Sequence, residues 1–255
     1  MAPERIHGTI PEEERTPVHT FLENVITRNV IEQTINDTCN RICVLCEDTE
    51  NDRDEGESQL LDFAEEIPEH AAGDHALTFF KRGGVHCINA AMKHPSNAVR
   101  AAYVGLIGDL AQNNEPVQNF LFAETSYLAQ FLDLLKNEHL PAPYQCKLLG
   151  AVSSMVRGNP VPKRAFLDKH AGIETLKAVF DRAFDEDEYR VAGRASLVLC
   201  NIYLDTLGGH ENLTVKQKKA DKKHIGSVVE AVYASMQEKA DLYEEHIQYY
   251  NDHRQ

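Results

Sequence analysis

The sequence predicts an all-α chain built by stacking repeated helical units, and three observations predict it. Apolar residues recur at helical spacing through most of the chain, no alternating strand pattern of useful length occurs, and three successive segments share one grammar. The segments span 75–113, 115–159 and 160–202. Each opens on a short apolar piece, at Phe79-Phe80, Phe120-Leu121 or Phe166-Leu167. A tight break follows at Gly83-Gly84, Thr125-Ser126 or Ala171-Gly172. Next comes an amphipathic helix ending in a polar turn, and a longer helix closes the unit.

The closing helices superpose at a spacing of 45 residues. Val99, Tyr144 and Tyr189 coincide, as do Ile107, Val152 and Leu197, and Leu110, Met155 and Cys200. The small residues Gly105, Gly150 and Ala195 share a position, as expected where neighbouring helices approach closely. One such unit cannot bury its apolar face alone, whereas stacked units make a continuous core. A period in this range, with one short helix and two longer ones, predicts an armadillo/HEAT-like right-handed helical solenoid with helical caps at both ends.

The flanks complete the expected order. Residues 1–16 are rich in Pro and Glu and read as disordered. Residues 17–46 carry apolar positions at helical spacing and read as an N-terminal helical cap, and the acidic stretch 47–58 reads as a solvated linker. The repeats occupy 59–205, beginning with a helix at Leu60, Leu61, Phe63, Ala64 and Ile67 that closes a partial preceding unit. Residues 206–224, with VKQKKADKKH at 215–224, read as a basic connection. Residues 225–255 read as a C-terminal cap, a helix over 225–248 burying Ile225, Val228, Val229, Val232, Met236 and Ile247.

Composition narrows the function classes. Hydrophobic residues make up 42% of the 255, enough for a core, and the formal net charge of −14 disfavours a nucleic-acid partner. The N-terminus lacks an apolar signal region, and no run of eighteen apolar residues suggests a membrane span. The six cysteines fall mainly within apolar helical patterns, as reduced core thiols do, so the expected compartment is the cytoplasm.

Catalytic chemistry finds little support. Cys39, Cys43 and Cys46 have the spacing of a radical-enzyme cluster loop, yet Leu45 stands where an aromatic is usual and the flanks continue a helix. They read as buried or half-buried thiols. The twelve histidines form no ligand-spaced pair beside a carboxylate, and Gly83-Gly84 lacks the strand, helix and lysine of a phosphate loop. Neither an enzyme, nor a metal, nor a cofactor is expected.

The closing helices carry a polar ladder instead. It runs through Asp109, Gln112 and Asn113, then Lys147, Ser153, Ser154, Arg157 and Asn159, then Arg194, Asn201 and Tyr203. In a right-handed solenoid the last helix of each unit lines the concave surface, so this ladder predicts a partner-binding groove.

The segments IGDLAQNNEPVQNFL (107–121), SSMVRGNPVPKRAFLDKHAGIETL (153–176) and GRASLVLCNI (193–202) resemble the armadillo-type nucleotide exchange factors of the seventy-kilodalton heat-shock chaperones. The likeness covers about residues 56–203. It implies a co-chaperone of the family's cytosolic branch that clamps the chaperone's ATPase domain and promotes ADP release, and an array capped at both ends is expected to be monomeric. By position, Arg100, Ala101, Asn113, Asn114, Arg157 and Asn159 match motif residues of that family's repeats. The other expectation is an armadillo scaffold or adaptor with an unrelated partner.

Overall fold

The computed structural model describes residues 17–47, 53–71, 73–208 and 214–253. Among these the chain is all-helical, with no strand. The segment 1–16, read as disordered, lies outside the described residues.

Helices α1 (Pro17–Glu47) and α2 (Arg53–His70) come first, followed by α3 (Asp74–Phe79), a wide turn (Phe80–Gly84) and α4 (Val85–Ala91). Three long helices, α5 (Asn97–Ala111), α8 (Ala142–Val156) and α11 (Tyr189–Leu207), alternate with shorter pairs. These pairs are α6 (Glu115–Glu124) with α7 (Tyr127–Leu134), and α9 (Pro160–Asp168) with α10 (Gly172–Asp185). Helices α12 (Val215–Glu238) and α13 (Ala240–His253) finish the chain. The long helices lie side by side, α2 against α5, α5 against α8, and α8 against α11. One apolar cluster runs from Cys39 and Ile42 to Tyr243 and Tyr250, so each helix buries its apolar stripe against the next.

Local chemistry sets the boundaries. The Ser96 hydroxyl accepts from the Ala98 and Val99 amides at the start of α5. Asn114 caps α6 through Val117 N–H, and Asn159 caps α9 through Val161 N–H. Pro116, Pro143 and Pro160 occupy the first two positions of α6, α8 and α9, where a missing N–H costs nothing. The break before α4 comes from Arg82 and Gly83, the latter at φ 125°, a conformation open to glycine alone. The break before α10 places Gly172 against Phe166, where any Cβ would stand 2.1 Å from the ring.

Three boundaries differ from the sequence reading. The stretch read as a linker over 47–58 is helical from Arg53, because Asp54 and Glu55 favour the positive end of α2 and the Ser96 hydroxyl bonds Glu57 at 2.6 Å. The basic stretch 215–224 is not a connection but the first ten residues of α12. Thr214 and Gln217 form a reciprocal capping box there, and Asp221 draws the helix onto α9 through Arg164 at 2.5 Å. The C-terminal cap is two helices rather than one, broken at Lys239. Lys239 Nζ donates to Phe184 O at 2.8 Å and to Asp187 at 2.6 Å, which pins the bend to the end of α10. The chain then turns back, and Tyr243 stacks on Phe184.

No helix among the described residues is long and apolar enough to cross a membrane.

Candidate partner-binding surface

The polar ladder converges on one trough. A cavity of about 240 Å³ opens between α5, α8 and α11, lined by Asp109, Gln112, Lys147, Ser153, Ser154, Arg157, Arg194 and Asn201 together with Gly105, Gly108 and Gly150. A second, more apolar hollow of about 610 Å³ continues it towards α2, lined by Leu61, Ala64, Pro68, Ala98, Ala101 and Pro143. Asp109 and Lys147 border both, so the two form one surface across four long helices.

The charge there is opposite to that of the whole chain. Lys147, Arg157 and Arg194 bring three cations against the carboxylates of Asp109 and, at the α2 end, Glu65, on a protein of net charge −14. All five residues are exposed. Among the described residues none of the three cations pairs with a carboxylate. They remain available to an incoming anion.

Glycines place two of them. A Cβ at Gly105 would stand 2.9 Å from Lys147 Cδ, and one at Gly150 would stand 2.9 Å from Arg194 Nη2. In each case the long side chain of one helix lies across the glycine of the helix before it. The close approach of helix backbones expected at Gly105 and Gly150 occurs instead at Gly108, whose Cβ would meet Ala151 Cα at 3.1 Å. Cys146 edges the trough, its thiol donating to Arg190 O at 3.7 Å. Burial pushes that thiol's pKa up, with Arg194 and Arg190 opposing.

Other expected contact residues stand outside the trough or at its edge, where they hold the fold together. Asn113 lies at φ 54°, the left-handed turn that ends α5, and Gly158 occupies the matching position after α8 at φ 73°. Asn114 caps α6 and donates to Gly73 O at 3.0 Å. Asn159 is only 1% exposed, capping α9 and donating to Asn119 at 2.9 Å, so it is not a surface contact. Arg100 reaches Asn97 at 2.5 Å and lies over the Tyr144 ring. Asn201 borders the trough but accepts from the Tyr249 hydroxyl at 2.8 Å, which ties it to α13. Ser153 lines the floor of the trough at only 6% exposure, and Tyr203 packs against Gly226 of α12 rather than lining the trough.

Among the buried polar residues that the sequence reading did not single out, Gln118 and Lys163 tie units together. Gln118 Nε2 donates to Ala111 O, Ser154 O and Arg157 O at 3.2, 2.7 and 3.1 Å, joining the ends of α5 and α8. Lys163 pairs with Asp205 on α11 at 2.8 Å. Their signal in the sequence is a polar residue at the same position of successive units.

Cys39, Cys43 and Cys46 lie along one face of α1, Cys39 buried and the others half-buried. Among the described residues no group of three His, Cys, Asp or Glu side chains is placed to hold a metal.

No family model, curated protein or solved structure matches the chain.

Proposed function

We propose that the surface formed by α2, α5, α8 and α11 grips an acidic face of a partner protein, and that the protein acts by this grip. The observation that carries the reading is the trio Lys147, Arg157 and Arg194, unpaired among the described residues, with Lys147 and Arg194 laid across glycines, on a chain that is otherwise acidic. Complementary charge steers encounter and selects partners. The stacking of successive long helices supports an armadillo-like right-handed solenoid, capped by α1 at one end and by α12 and α13 at the other.

The specific partner we propose is the ATPase domain of a seventy-kilodalton heat-shock chaperone in the cytoplasm. The support is the resemblance of 107–121, 153–176 and 193–202 to that family of exchange factors. Binding one lobe preferentially in the open state would shift the domain towards opening and speed ADP release. The protein contributes shape and charge, acts as a monomer, and needs no cofactor for this.

Release of a fluorescent ADP analogue from such a chaperone tests the reading, with wild type compared against Arg157→Ala and Arg194→Glu. Acceleration by wild type and its loss in both variants is the expected result. No acceleration and no complex on a sizing column would rule out the chaperone, while a pull-down partner lost on Arg194→Glu would retain the acidic-partner surface.

A further inference from the structure

We propose that Cys39 and Cys87 form a peroxide-reactive dithiol that closes to a disulfide clipping α1 onto α4. The pair is brought together by the turn before α4. Gly83 lies so close to α1 that a Cβ there would stand 3.3 Å from Cys39 Cβ and 3.7 Å from its sulfur. Four residues later Cys87 points back into the same place, its thiol donating to Gly84 O at 3.3 Å and hydrogen-bonding the Cys39 sulfur. Both are reduced, at 3% and 0% exposure.

The surroundings distinguish this pair from the other thiols. The Cys87 hydrogen bond lowers the pKa of Cys39 against the opposing effect of burial, whereas burial raises Cys43 and takes Cys46 up to about 11. Cys39 is therefore the thiol with the larger thiolate fraction. The Tyr103 hydroxyl, fully buried and without a hydrogen-bond partner among the described residues, stands within electrostatic reach of these sulfurs. An unpartnered hydroxyl at that depth costs stability.

The chemistry balances with a hydroperoxide as oxidant, and the near-complete burial of Cys39 selects hydrogen peroxide, the smallest. The Cys39 thiolate attacks one peroxide oxygen and the O–O bond breaks. The sulfur keeps a hydroxyl as sulfenic acid, and the departing oxygen takes up the thiol proton and leaves as water. The Cys87 sulfur then attacks Cys39, forming the S–S bond and releasing the hydroxyl as a second water. Two thiols lose two electrons, and one peroxide is reduced.

The test treats the full chain with hydrogen peroxide, alkylates the remaining thiols and maps the peptides by mass. Free thiols are expected to fall from the six present to four, with a dithiothreitol-reversible cross-link between the Cys39 and Cys87 peptides. Cys87→Ser should stop at a Cys39 sulfenic acid that dimedone traps when added together with denaturant. Alkylatable Cys39 and Cys87 alongside oxidised Cys43, Cys46 or Cys146 would overturn the proposal, as would a cross-link joining Cys39 to any other cysteine. The wild-type peptide map decides this even where the variant fails to fold.

Discussion

Gln118 and Lys163, 45 residues apart, do the same mechanical job in successive units. Each is 2% exposed, and each reaches from a short helix to the end of a long one, Gln118 to the last turn of α8 and Lys163 to Asp205 on α11. One uses an amide against carbonyls and the other an ammonium against a carboxylate. Both tether a unit to its neighbour where long helices would otherwise end in unpaired polar groups.

Lys163→Met should therefore destabilise the chain by about 3 kcal/mol, the lower end for breaking a buried ion pair. The low end applies because Asp205 keeps the Gly158 N–H at 3.3 Å. Gln118→Ala, which leaves carbonyls without a donor, should cost about 1–3 kcal/mol. Urea unfolding followed by circular dichroism measures both, and wild-type midpoints would show that the tethers carry no load.

Two glycine substitutions should part company. Gly150→Ala meets only the far end of the flexible Arg194 side chain, so stability should hold or rise by up to about 1 kcal/mol while partner binding weakens. Gly172→Ala drives a methyl into the buried Phe166 ring and should cost about 1–3 kcal/mol. Thermal melts of the two proteins separate these outcomes, and equal losses would contradict the packing at Gly150.

The cationic surface predicts salt dependence. Arg194→Glu should weaken binding to the acidic partner about tenfold, or about 1.4 kcal/mol, mainly through slower association. The difference between variant and wild type should shrink at high ionic strength. Surface plasmon resonance at two salt concentrations reads this directly, and a salt-independent loss would point to shape rather than charge.

His246 gives the C-terminal cap a pH response. Its ring packs against Gly193, and burial lowers its pKa, with the Glu245 carboxylate opposing. A histidine whose folded pKa lies below its unfolded value of about 6.5 binds protons more readily when unfolded. Stability should be level above about pH 6.5 and fall as pH drops from there towards the lowered folded value. His246→Gln should flatten that part of the profile in melts between about pH 5 and 8, and an unchanged slope would assign the acid sensitivity to other groups.

Thr214→Ala should cost about 1 kcal/mol by removing the capping box. The loss should appear as faster amide exchange over residues 215–224, the segment whose lysines suggest a coil. Unchanged protection there would mean that the Arg164–Asp221 pair alone holds the start of α12.

The helical character, the 45-residue period and the breaks near Gly83, Thr125 and Ala171 were legible in the sequence because they are local. Apolar spacing, capping residues and glycines act within a few residues of themselves. For the same reason Lys147, Arg157 and Arg194 were placed on a common surface, since equivalent positions of equivalent helices face the same way. Tertiary structure decided which polar residues serve a partner and which serve the fold. Asn113, Asn114 and Asn159 were expected at a partner surface, yet they make a left-handed turn and two caps. The start of α12 and the bend at Lys239 depend on α9 and α10, and Cys87 meets Cys39 only once α4 packs on α1. A helix's pattern is written in its own residues, but the partner of a polar side chain is set by whichever helix end or neighbouring face packing brings to it.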